Sequence, residues 1–217
     1  NTTGGGNVAI GTTAMGVSTT ASFCTAVGNN ALLSNTAGFN TGTGCFALWN
    51  NTSGGDNTAN GYSALAAVTT GSNNSGLGAH ALDGTTTGIN NTGCGVNAGY
   101  SNVSGSYNTA LGYEANFGSG ILVNATAVGM RAMAGADNSL VLGSINGVNG
   151  GFADTKVGIG TTTPQRALHV KSSALTTVRI EGLPTFANDA AAGVGGLVTG
   201  DLYVSNVGGD LFLKVKQ

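Results

Sequence analysis

The chain has 217 residues and a formal net charge of −2, with 7% charged side chains, 41% hydrophobic residues and 39 glycines. So few cations exclude electrostatic capture of nucleic acid, and this hydrophobic content argues against disorder. Two prolines and no three-residue glycine period exclude collagen, and no apolar run is long enough for a membrane-spanning helix.

The chain opens on Asn1-Thr2-Thr3-Gly4, which matches turns found later between repeats. The expectation is a fragment or processed piece with more repeats upstream. A glycine then recurs at Gly11, Gly28, Gly44, Gly61, Gly78, Gly95, Gly112 and Gly129. Each is followed three places later by alanine: Ala14, Ala31, Ala47, Ala64, Ala81, Ala98, Ala115 and Ala132. The spacing is 17 residues at every step but one, which is 16, and a ninth, imperfect unit ends at Gly143. A fixed period of this length is the signature of a solenoid.

With the glycine as position 0, position −2 is always Ala or Gly, as in Ala26, Gly42 and Ala59. Position −1 is mostly apolar (Ile10, Val27, Leu77, Leu111, Val128), position −4 is often Asn (Asn7, Asn40, Asn57, Asn74, Asn91, Asn108), and position +4 is often Leu or Met (Met15, Leu32, Leu48, Leu65, Leu82, Met133). Alternation of period two before the glycine predicts a short strand. Columns that admit only small side chains predict backbone packed closely on backbone. Segments such as Asn51-Thr52-Ser53-Gly54 and Thr85-Thr86-Thr87-Gly88 supply the turns. The reading is an all-β chain, a repetitive parallel β-roll or β-solenoid.

A coil this short, rich in Ala and Gly, buries little apolar surface by itself. The Ile, Val and Leu column at −1 is then a natural seam between copies, and the expected assembly is a homotrimeric fibre. Three regions are expected: a repeat shaft over 1–150, a β stem or connector over 151–182, and a C-terminal β cap or tip over 183–217. The boundary follows charge, because 1–150 contain one basic residue, Arg131, against Asp56, Asp83, Glu114 and Asp137. Past the hinge Gly147–Gly151, strands are predicted at 156–160, 166–171, 176–181, 201–205 and 210–216, with a loop over Ala187–Gly196.

The unit Asn7-Val8-Ala9-Ile10-Gly11-Thr12-Thr13-Ala14 resembles the head repeats of trimeric autotransporter adhesins, and its 17-residue form is similar to repeats of bacteriophage and other viral tail fibres. Val157-Gly158-Ile159-Gly160-Thr161-Thr162-Thr163-Pro164, continued by Ala167-Leu168-His169-Val170, is similar to a tail-fibre phrase that often precedes a self-cleaving chaperone domain. Gly182-Leu183-Pro184-Thr185 through Gly200-Asp201-Leu202-Tyr203 resembles phage-fibre C-termini. The resemblance implies a trimeric left-handed β-roll. It implies a virion or extracellular surface location, contacts with other fibre or virion proteins, and a host receptor, glycan or protein. A bacterial surface adhesin stalk is the alternative. An ice or surface binder is a third, suggested by Thr25, Thr41, Thr58, Thr92, Thr109 and Thr126 in column −3.

The residues give no reason to expect catalysis. No serine or cysteine lies in a nucleophile motif. Asp56 and Asp137 lie about five coils apart, and Asp83 and Glu114 are two coils and three columns apart. Cys24, Cys45 and Cys94 fall in different columns and read as reduced small hydrophobes with no zinc spacing. His80 and His169 stand alone in sequence, although a trimer would gather three copies of each on an axis. No cofactor or metal is expected. Columns +2 and +5 vary freely and are expected to face solvent. There Trp49, Tyr100 and Phe117 are the candidate ligand-binding residues, with Tyr203 and Phe212 in the terminal segment. The plainer alternative is that each packs against a neighbouring chain.

Overall fold

A computed structural model describes residues 3–171 and, beyond them, the backbone of three strands. The described residues are all-β. Nine short strands form one parallel sheet: β1 (Val8–Ile10), β2 (Thr25–Val27), β3 (Thr41–Thr43), β4 (Thr58–Asn60), β5 (Ser75–Leu77), β6 (Thr92–Cys94), β7 (Thr109–Leu111), β9 (Thr126–Val128) and β11 (Leu140–Leu142). Each strand ends one residue before its repeating glycine and pairs with its equivalent in the next coil, as Thr58 with Ser75 and Ser75 with Thr92. The short second coil still pairs Thr25 with Thr41, so its missing residue is taken from the turn and the register survives. The chain is a β-solenoid of about eight turns, and at ~4.8 Å per coil the sheet runs about 40 Å.

Two further strands, β8 (Asn116–Phe117) and β10 (Met133–Ala134), pair in parallel on another side of coils seven and eight. β12 (Val157–Ile159) and β13 (Leu168–Val170) form a two-stranded sheet. The chain divides into compact units at Asn1–His169 and Val170–Gln217. In the second, β14 (Thr185–Phe186) pairs in parallel with β15 (Leu202–Val207), which pairs antiparallel with β16 (Asp210–Val215). The strand expected at 176–181 and the loop at 187–196 lie outside the described residues.

Within each strand the middle residue points inward. Ala26, Ala59, Ala110 and Ala127 are fully buried, while the −3 and −1 neighbours face out. The coil closes through consecutive tight turns. The Ala31 N–H donates to the Gly28 carbonyl (3.3 Å), and the Asn35 N–H donates to the Leu32 carbonyl (3.3 Å). Gly28 has φ +135°, and a Cβ there would sit 2.5 Å from the Gly44 carbonyl oxygen of the next coil. Both the dihedral and the space therefore exclude any other residue.

Three further columns hold left-handed backbone without needing glycine: −5 (Phe23, Phe39, Asp56), +2 (Asn30, Phe46, Ser63) and +4 (Leu32, Leu48, Leu65). Leu32, Leu48, Leu65 and Leu82 are fully buried and form the axial core with the alanine columns.

The coils are bonded to each other along their whole circuit. The Leu48 N–H donates forward to the Ala64 carbonyl (3.0 Å), and the Gly44 N–H donates back to the Val27 carbonyl (2.8 Å). Buried asparagines at −4 add a side-chain ladder. Asn57 Oδ1 accepts the Asn74 N–H (2.9 Å), and Asn74 Oδ1 accepts the Asn91 N–H (3.0 Å). Each side-chain amide also reaches a turn carbonyl, as Asn74 Nδ2 to Gly88 (2.9 Å). A second, shorter ladder occupies +7, where Asn51 Nδ2 donates to Asn35 Oδ1 (2.8 Å). It breaks where the next coil has Val68, which leaves Asn51 Oδ1 buried without a partner.

The ladders make opposite predictions at two positions. Asn74→Ala removes an acceptor and donors from three buried partners and is expected to destabilise the chain by about 2–4 kcal/mol in urea unfolding. Val68→Thr buries a new hydroxyl, which ordinarily costs about 1–3 kcal/mol. Here it meets the orphaned Asn51 Oδ1, so the urea midpoint is expected to hold or rise; a loss of the ordinary size would show that the hydroxyl does not reach it.

Candidate binding face

The turn from position 0 to +3 holds residue +2 in left-handed conformation, half-buried in most coils and buried at Ser63, with +5 three residues further along. Stacking these turns every ~4.8 Å lines variable side chains along the solenoid axis. In coils three to five the row is aromatic. Phe46 packs edge-on against Trp49 (ring centroids 5.4 Å) and Tyr62 (6.1 Å), and Tyr62 packs edge-on against His80 (5.1 Å). His80 Nδ1 lies 2.8 Å from Asp83 Oδ2, so the acid orients the ring. Next along the axis is an open cleft of about 610 Å³ lined by His80, Asp83, Asn97, Tyr100, Glu114 and Asn149.

The far wall of the cleft is a turn held by a cation clamp. Arg131 Nε lies 2.8 Å from Glu114 Oε2, and Arg131 Nη1 donates to the Gly150 carbonyl (2.5 Å). The guanidinium lies 5.8 Å from the Tyr113 ring centre and 5.3 Å from that of Phe152. Asn149 Nδ2 donates to the Glu114 carbonyl (2.7 Å). The hydrogen bonds from Tyr113 and then Arg131 hold the Glu114 carboxyl below its ordinary value. Glu114 in turn raises the Tyr113 phenol and the Arg131 guanidinium. All three groups stay in the clamped charge state at neutral pH.

Trp49 and Tyr100 are on this face and exposed, at 40% and 45%. Phe117 is not. It was expected in a solvent-facing column and is 1% exposed, the largest fully buried side chain among the described residues. The reason lies in neighbouring coils. Coil six has Gly99 where coils two to five have leucine, and Leu82 and the Phe117 ring share that space, with Leu82 Cδ2 2.7 Å and Phe117 Cε2 3.3 Å from where a Gly99 Cβ would sit. Coil seven has strand β8 in place of the left-handed turn residue, which brings position +5 inward. The Tyr203 and Phe212 side chains lie outside the described residues. Tyr62 and Asn149 join the face from column +1 and from the turn after the last repeat, and no repeat column pointed to either.

The cysteines are free, with Cys24 buried. No group of three or more metal-ligating side chains forms among the described residues. His169 Nδ1 accepts the Gln165 N–H (3.2 Å). No protein-family model, curated protein or solved structure matches the chain.

The clamp predicts a local pH response. Because the folded Glu114 carboxyl titrates below its ordinary 4.5, its contribution is present above about pH 4.5 and is lost as pH falls through the depressed folded value. Arg131→Ala at neutral pH is expected to shift the Asn149 side-chain amide resonance and speed hydrogen exchange over 145–152, with β4 to β6 unaffected. Wild type is expected to show the same shift only in acid. An unmoved Asn149 in the variant would mean that packing alone holds the turn.

Proposed function

We propose that this chain is part of a homotrimeric fibre, a viral tail fibre or spike shaft, whose solenoid carries an adhesion surface toward a host. The observation that carries this reading is an apolar stripe on the outer face of the sheet. In column −1, Ile10, Leu77, Leu111 and Leu142 are 43–60% exposed, and beside them in column +1 are Tyr62, Val96, Tyr113 and Met130 at 43–50%. The stripe is interrupted by Thr43 and Asn60 and is densest from Leu77 onward, and an exposed apolar stripe of this kind is a typical association surface. Burying each leucine or isoleucine is worth roughly 1.5–3 kcal/mol. A stripe parallel to the rod suits closed rotational symmetry about an axis along the fibre, and the resemblance of the repeats supplies the number three.

The role proposed is structural and adhesive: Glu114 is committed to the Arg131 clamp and Asp83 to His80.

Light scattering on the purified chain is expected to give a mass near three chains that resists detergent until heated. Leu77→Glu combined with Leu111→Glu is expected to give a folded single chain. A folded wild-type monomer would overturn the fibre reading.

A further inference from the structure

We propose that the corner face from Trp49 to Asn149 binds a linear, uncharged oligosaccharide lying along the solenoid axis. This deepens the fibre reading, on which it rests for taking this face as a recognition surface, by naming the class of ligand.

Three observations carry it. The first is the alternation of chemistry along the face. The aromatic row Phe46, Trp49, Tyr62 and His80 leads into a cleft containing Tyr100 with the polar groups of Asp83, Asn97, Glu114 and Asn149. A sugar ring has apolar C–H faces that suit aromatic rings and hydroxyl edges that suit amides and carboxylates. The cleft volume is in the range of small-ligand sites.

The second is what remains available. Neither the Asn97 side-chain amide nor the Tyr100 hydroxyl has a protein hydrogen-bond partner among the described residues, and both residues line the cleft. A ligand with hydroxyls satisfies both, whereas a purely apolar partner would leave them unpaired.

The third is charge. Arg131 is the one Lys or Arg in residues 1–150, and it is committed to Glu114, Gly150 and two aromatic rings. A sulfate, phosphate or sialic carboxylate would find no available guanidinium or ammonium here and would meet Asp83 and Glu114. The face therefore selects against anionic glycans.

The cleft is lined from columns +2 and +5, so three-fold association centred on column −1 leaves it open, with Tyr62 and Tyr113 of column +1 at the border between seam and face. The backbone beneath is bonded from coil to coil, as His80 N–H to Tyr62 carbonyl (2.8 Å) and Asn97 N–H to Ala79 carbonyl (3.0 Å). The site is thus preorganised and loses little entropy on binding.

The test titrates the full chain with linear hexamers of glucose, mannose and N-acetylglucosamine, and with one sulfated and one sialylated oligosaccharide at equal concentration. Binding is read by calorimetry and by the emission of Trp49, the chain's single tryptophan. At least one neutral hexamer is expected to bind and to change Trp49 emission. Tyr100→Ala is expected to weaken that binding about tenfold or more with an unchanged circular dichroism melt. Phe39→Ala, an exposed aromatic in column −5, is expected to leave binding unchanged. Failure of every neutral hexamer, binding of the anionic sugars alone, an unaffected Tyr100→Ala, or equal loss in Phe39→Ala would each overturn the proposal. A three-chain mass without sugar binding defeats this inference and leaves the fibre reading. Sugar binding by a monomer does the reverse.

Discussion

Coil-to-coil hydrogen bonding is the constraint on which everything else in this molecule depends. Each circuit is too short to enclose much apolar volume, so stacking has to come from polar contacts made in a dry interior. The −4 asparagines suit this because one side chain offers an acceptor and two donors. Asn57 Oδ1 takes the backbone N–H of Asn74 while Asn57 Nδ2 reaches the Gly71 carbonyl (2.9 Å). A buried polar group is costly alone and favourable when fully partnered. The repeat period is therefore under polar as well as apolar control: a coil of the wrong length would orphan the ladder. The short second coil satisfies that rule by losing its residue in the turn after Asn35, where no ladder bond is displaced, and Asn40 still meets Asn57.

The sequence was most legible where a column admits one kind of residue. Position 0 is readable as glycine because φ and the next coil's carbonyl both forbid a Cβ. Position −2 is readable as inward and small because the strand alternates. The strand edges, the parallel stacking and the all-β class followed from these columns. The left-handed residues at −5, +2 and +4 were not legible, because Leu, Phe, Asn and His all occur there. A left-handed leucine costs roughly 1–2 kcal/mol of backbone strain, yet burying its side chain returns about 1.5–3 kcal/mol. At +4 burial wins, so a strained position presents itself in sequence as an ordinary core leucine.

The candidate face was half legible for the same reason. Columns +2 and +5 were expected to face solvent; Trp49 and Tyr100 do, whereas Ser63, Ala66, Phe117 and Ala134 in the same columns are buried. Phe117 shows the limit of column logic. A column keeps its direction only while the backbone of the coil is conserved, and coil seven changes from turn to strand at Asn116. Its consequence reaches the previous coil, where Gly99 leaves a core position that Phe117 and Leu82 share. No single repeat contains that exchange; it is visible only when two coils are stacked.

This irregularity also bears on where the proposed recognition face sits. A perfect solenoid presents the same corner at every level, and a uniform corner cannot discriminate between ligands. The cleft opens where the repeats depart from uniformity, between the leucine-filled coils that end at Leu82 and the coils built around Phe117, where the core itself divides in two. Its end wall is not a repeat at all but the Asn149 turn, drawn in by Arg131. The regular coils supply stiffness and distance, and the ladder makes each corner rigid. Differences in the side chains that the corners present then set chemistry at intervals of ~4.8 Å along a line. The extended ligand proposed for this face has its own repeat and would run along such a line.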